Sequence, residues 1–223
     1  MSAIGPSVPP IVVSRAGAPW RIDRPAEKLL LRARMPGASI YDRVAQSIRV
    51  AEASGVSIED RLVLAFPACW LVNARVPSPI LRRWSLPPLH EAWLALVDAV
   101  KGGPERWLAC TTERDVVAKC VAALTVEGID DAPEAISKVL ALLAPETVPL
   151  MPKESRVFAL GADAEGDDML LAMLDWFARG VIEAEPALIA LARDYAPCPL
   201  DAPQVLDRLL YFDSIGHQHF AKG

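Results

Sequence analysis

Residues 131–145, DAPEAISKVLALLAP, decide the fold class. Asp131 followed by Ala132, Pro133 and Glu134 is a helix start supported three times over. The aspartate oxygen accepts from backbone N–H groups that lack partners inside the helix, proline sacrifices no bond in the first turn, and glutamate can reach back to the cap. Ile136, Val139, Leu140 and Leu143 then recur at helical spacing up to Pro145.

The same pattern of starts, apolar stripes and stops extends in both directions. Towards the N-terminus, one helix is expected from about Ile40 to Ser54, stopping at Gly55, and a second from Ser57–Asp60 to about Arg75, kinked or divided by Pro67. Pro87 and Pro88 suit the first turn of a helix carrying Trp93, Leu94 and Val97 and ending at Gly102–Gly103. In residues 111–126, TTERDVVAKCVAALTV, Thr112 is placed to cap, and Val116, Val117, Cys120, Val121 and Leu124 form a stripe. Towards the C-terminus, Asp167 or Asp168 opens a helix through Trp176 that closes at Gly180. Pro186 opens another through Leu188, Leu191 and Tyr195, and Asp201 with Pro203 opens a last one through Val205, Leu209 and Phe212. Roughly eight or nine helices with little strand signal make this an all-α, multi-helix globular domain. Residues 1–25, rich in Pro, Gly and Ser with a β-like run at Ile11–Val13, read as an irregular N-terminal arm that lies on the domain or stays mobile. Residues 26–223 read as a single helical domain.

Composition agrees with a packed interior: hydrophobic residues make up 52% of the 223 and charged residues 23%, which argues against disorder. A net charge of −5 gives no bulk attraction to nucleic acid or anionic lipid, so either would need a local basic patch. Cys69, Cys110, Cys120 and Cys198 contain no C-x-x-C pair and read as buried free thiols of a reducing compartment. The N-terminus lacks the pattern of a secretory signal, and the longest apolar run, residues 62–72, is too short to span a bilayer. A cytoplasmic location without membrane association is the expectation.

Residues 126–160, VEGIDDAPEAISKVLALLAPETVPLMPKESRVFAL, resemble the hairpin region of the helix-hairpin-helix DNA glycosylase superfamily. The resemblance implies a glycine-containing hairpin that meets a DNA phosphate at the following helix N-terminus, and a catalytic carboxylate beyond the next loop. Gly128 and Ile129 match the start of the hairpin. Asp130 stands where the second glycine belongs, and Asp131 follows it, so two carboxylates face the phosphate position. The lysine of the bifunctional branch falls near Ala132 and is absent, leaving Lys138 further along the helix. The loop VPLMPKES has no aspartate, so Glu154 is the only stand-in. More broadly, residues 60–84, 135–152 and 202–212 resemble a family of uncharacterised, largely actinobacterial proteins that keeps a glycosylase-like helical layout.

The resemblance nominates Glu154 and Lys138 for acid–base or Schiff-base work, and Gly128, Arg82 and Arg83 for nucleic-acid contact. The plainer reading makes Lys138 a solvated helix position and Glu154 a first-turn charge favoured by the helix dipole. Arg32, Arg34, Arg43 and Arg49 form a second basic group, for phosphates or an acidic partner if folding gathers them, and otherwise ordinary solvated charges. His217 and His219 with Asp213 lack an evident third metal ligand, and His90 lacks a partner acid, so no metal and no cofactor are expected. Trp70, Trp93 and Trp176 read as core, whereas Trp84 and Trp20 are the candidates for exposure, suited equally to a protein partner or to base stacking. Together these features give a degenerate glycosylase-like core that acts by binding, with DNA or a protein as partner. A base-excision-type enzyme using Glu154 and a plain protein-interaction module are the alternatives.

Overall fold

The computed structural model describes residues 10–15, 17–34, 38–71, 78–161, 168–196 and 199–216. Among them lie eleven α-helices: α1 (Pro25–Arg32), α2 (Ala38–Ala53), α3 (Ile58–Leu71), α4 (Ser78–Trp84), α5 (Leu89–Val100), α6 (Gly103–Ala109), α7 (Thr112–Leu124), α8 (Ala132–Leu143), α9 (Lys153–Leu160), α10 (Met169–Tyr195) and α11 (Ala202–Tyr211). Two short strands, β1 (Ile11–Val13) and β2 (Trp20–Ile22), precede them, and a π turn, Phe212–Gly216, follows α11. The all-α reading holds. His217, His219, Cys198 and residues 163–167 of the acidic stretch lie outside the described residues, as do the side chains of Cys69 and Trp70.

The helix opened by Asp131 is the centre of the domain. The Asp131 carboxylate accepts the Glu134 N–H at 2.9 Å, and nine of the twelve residues of α8 are buried, eight of them apolar. A helix that buries all but a narrow polar edge at Glu134 and Lys138 has to be surrounded. Here α2, α3, α7 and α10 surround it. The last helix, α11, starts with a full capping box between Asp201 and Gln204, and nine of its ten residues are buried, mostly against α10 and α1.

Several elements depart from the sequence reading; Thr112, expected to cap α7, is its first helical residue, and no side chain caps that helix. The expected break at Gly180 and restart at Pro186 do not occur: α10 runs unbroken for 27 residues. Gly180 is there for clearance, since an added Cβ would sit 2.8 Å from Val13 Cγ1 and 3.3 Å from Leu206 Cδ2. Pro186 removes one helical hydrogen bond on the exposed face, while buried Ala184, Leu188 and Leu191 hold the helix together across it. Likewise α3 continues through Pro67. The glycine pair read only as a stop also starts a helix: Gly102 and Gly103 turn the chain at positive φ, and Pro104 opens α6, whose Trp107 is buried with its indole N–H on Asp175 at 2.8 Å.

The described part of the N-terminal arm lies on the domain. β1 and β2 pair antiparallel, Ile11 opposite Ile22 and Val13 opposite Trp20, which turns these four inward and Val12 and Arg21 outward. Trp20 stacks on Trp176 and meets the edge of Phe158, and its indole N–H donates to Asp213 at 2.8 Å. Trp84 is also fully buried, at 0% exposure, against Trp93 and Phe66. Both candidates for an exposed tryptophan are therefore core residues, because each indole N–H finds an internal acceptor. Cys120 is buried as expected, but Cys110 is only half-buried, in the link between α6 and α7.

Gly180→Ala tests the close approach of β1. Alanine gains about 1 kcal/mol of helix propensity, but forcing Val13 and Leu206 aside costs about 1–3 kcal/mol. The expected net result is a lower urea midpoint, partly restored by adding Val13→Ala.

Candidate functional site

The turn between α7 and α8 lies against α4. Past α7 the chain turns at Gly128, φ 93°, and the Ile129 N–H donates to the Val126 carbonyl. A Cβ on Gly128 would lie 3.7 Å from Ile80 Cδ1, and the Trp84 indole donates to the Leu124 carbonyl at 3.1 Å. The indole hydrogen bond ties α4 to the end of α7, with Ile80 close beside the turn. The nominated nucleic-acid residues Gly128, Arg82 and Arg83 are all exposed, the two arginines on α4 beside the buried Ile80 and Trp84 that face the turn. Exposed Glu127 and Asp130 stand on the same turn, so α4 and the turn together carry both signs of charge. Among the described residues neither Arg82 nor Arg83 has an ion pair, while Arg106, Arg114 and Arg156 elsewhere do.

The N-terminus of α8 is occupied from within the chain. The Asp131 carboxylate, besides capping α8, forms a two-pronged pair with Arg156 of α9, one of whose bonds measures 2.6 Å. Arg156 is buried. Burial works to raise the Asp131 carboxyl, but Arg156 and the Glu134 amide outweigh it and hold the group below the usual carboxylate range. The two nominated catalytic residues fare differently. Lys138 is tied along its own helix to Glu134, Nζ to Oε1 at 2.5 Å, and is largely buried rather than solvated. Glu154 is exposed in the first turn of α9, the place the plainer reading gave it.

Sequence reasoning missed a buried polar junction beneath α11. Asp42 of α2 receives Arg208 Nη2 at 2.7 Å and stands 3.7 Å from Arg32 Nη1 of α1. Arg32, read from the sequence as part of a solvated or phosphate-binding group, is 3% exposed and lies over the Tyr211 ring at 5.3 Å. Its Nε and Nη1 have no hydrogen-bond partner among the described residues. Beside them the buried Asp207 carboxylate accepts the Leu150 N–H at 2.8 Å, pinning the link between α8 and α9 to α11. Burial pushes the Asp207 carboxyl up to about 6, against the pull of Arg208, the Leu150 amide and Arg32 and with a push from Asp42. Burial also raises the Tyr211 phenol; Arg32 opposes the rise, and Asp207, Glu154 and Glu134 add to it. The signal that could have found this junction is the pair Asp207–Arg208 inside the apolar run VLDRLL.

Among the described residues no helix is long and apolar enough to cross a membrane, and no group of three or more His, Cys, Asp or Glu is placed to hold a metal ion. No protein-family profile, no curated protein and no solved structure matches the chain.

Two substitutions check this account. Asp131→Ala removes the cap and leaves Arg156 buried without its anion, so unfolding free energy falls by about 3–5 kcal/mol, well beyond the loss of a cap alone. For Asp207 the sign runs with the proton: the folded state holds it more tightly than the unfolded state, so this group favours folding below about pH 4 and loses that contribution as pH rises through about 6. Asp207→Asn, which keeps an oxygen for the Leu150 amide, is expected to be more stable than wild type above pH 7, by on the order of 2–3 kcal/mol. The two converge near pH 4 in denaturation series.

Proposed function

We propose that this protein works by binding rather than by catalysis, on a helical core that resembles a degenerate DNA glycosylase. The observation that carries the reading is the occupied α8 N-terminus: Asp131 takes the Glu134 amide and Arg156, in the place where the resemblance puts a DNA phosphate. An exogenous anion would have to displace a carboxylate held by two donors. Lys138, engaged with Glu134, is a poor nucleophile while that pair holds.

The binding face of this reading is the corner formed by α4 and the Gly128 turn. Arg82 and Arg83 offer two guanidiniums free of internal partners, and exposed Leu86 follows them. With Glu127 and Asp130 alongside, phosphate attraction at this corner is weak, so duplex DNA is held only at low salt and a protein surface of mixed charge fits it better.

Fluorescence anisotropy with single-stranded, duplex and abasic DNA across a salt series, run beside base-excision assays, tests the reading. No excision is expected from wild type, and any low-salt duplex binding should lose roughly two units of salt slope in Arg82→Ala/Arg83→Ala. Excision that disappears in Glu154→Gln would overturn the non-catalytic reading and install Glu154 as the working carboxylate. Tight, salt-resistant binding to abasic duplex would move the binding face away from this corner.

A further inference from the structure

The outer face of α10 is apolar in a way that the core does not use. Ile182 is 41% exposed and Ile189 53% exposed, and exposed Pro186 lies between them. At about 100° per residue, positions 182, 185, 186, 189, 193 and 196 fall within a band of roughly 120° along the helix. Beside this band runs a groove of about 720 Å³, walled by Ile189, Ala192, Leu200 and Pro203. The charged residues at its rim are Glu185 and Arg193. Asp201, on the far wall, is engaged with the Gln204 amide and Arg49.

The order of these residues is self-complementary. Turned antiparallel on itself about Ile189, the helix places each residue opposite the one equally far on the other side of that centre. Glu185 then faces Arg193, Pro186 faces Ala192, and Ile182 faces Ala196, with Ile189 meeting its own copy. Every pair is acid with base or apolar with apolar, which is what a two-fold interface demands, since one patch has to serve as both partners. Glu185 has no ion pair among the described residues, and Arg193 meets only its neighbour Asp194, through Nε and Nη2, on an exposed surface. Nη1 of Arg193 is left for a second carboxylate.

From this pattern we infer that the exposed face of α10 is a homodimer interface, in which two copies of the chain pack antiparallel about Ile189, with Glu185 of each copy paired to Arg193 of the other. The isoleucine of one copy fills the groove beside the isoleucine of the other, and the two flanking ion pairs fix direction and register. The inference is independent of the α4 corner and stands whether or not DNA is bound there.

Sedimentation velocity of the full chain from roughly 1 µM to 500 µM tests it, with circular dichroism to show that each variant keeps its helices. Wild type is expected to convert from monomer to dimer within this range. Glu185→Lys and Arg193→Glu, each placing like charges opposite one another twice per dimer, should each weaken association on the order of tenfold or more. The double reversal, Glu185→Lys with Arg193→Glu, rebuilds both pairs and should restore the dimer, which no unrelated surface effect would do. Ile189→Asp should remain monomeric. A wild type that stays monomeric throughout, a double reversal no stronger than the single ones, or a dimer indifferent to Ile189→Asp would each overturn the inference.

Discussion

The pairing of Asp131 with Arg156 is the contact on which the rest of the structure leans. One carboxylate satisfies an amide at the start of the central helix and also neutralises a buried guanidinium from the next one. The two helices are therefore fixed to each other at the point where α8 begins, and α8 is the axis against which α2, α3, α7 and α10 pack. The same pair closes the amide cluster to outside anions. A single charge placed by sequence thus joins the start of the central helix to the helix that follows it.

A second set of buried charges lies beneath α11, and its energetics run the other way. Arg32, Arg208 and Asp207 are buried and Asp42 beside them is half-buried, and Arg32 keeps two N–H groups without hydrogen-bond partners among the described residues. Such groups cost several kcal/mol in desolvation unless attraction and hydrogen bonds offset it. What they provide here is specificity of arrangement: Asp42 ties α2 to α11, Arg32 lays α1 over Tyr211, and Asp207 anchors the backbone at Leu150. An apolar junction of equal volume would tolerate sliding of these elements, whereas the polar one fixes their register.

The long helix α10 shows how one element serves two surfaces. Its inner face needs Gly180 so that Val13 and Leu206 can approach, and its outer face shows Ile182, Pro186 and Ile189 to solvent. Both features look like breaks when the sequence is read linearly. Glycine and proline lower helix propensity by about 1 and 3 kcal/mol, and neither penalty exceeds what the surrounding burial of Phe177, Val181, Leu188 and Leu191 supplies.

What the sequence determined by itself is what local chemistry governs: the all-α class, the caps at Asp131 and Asp201, the stripes of α7 and α8, and the β-like run at Ile11–Val13 all follow from side-chain-to-backbone bonding and periodicity within a few residues. Tertiary structure alone decided the rest. It continued α10 through two breakers, buried Trp20 and Trp84 by giving each indole an acceptor from a distant segment, and withdrew Arg32 from solvent. It also brought Arg156 of the next helix onto Asp131. Each of these outcomes depends on a partner contributed by another element, and periodicity within one helix carries no information about which neighbour will be there.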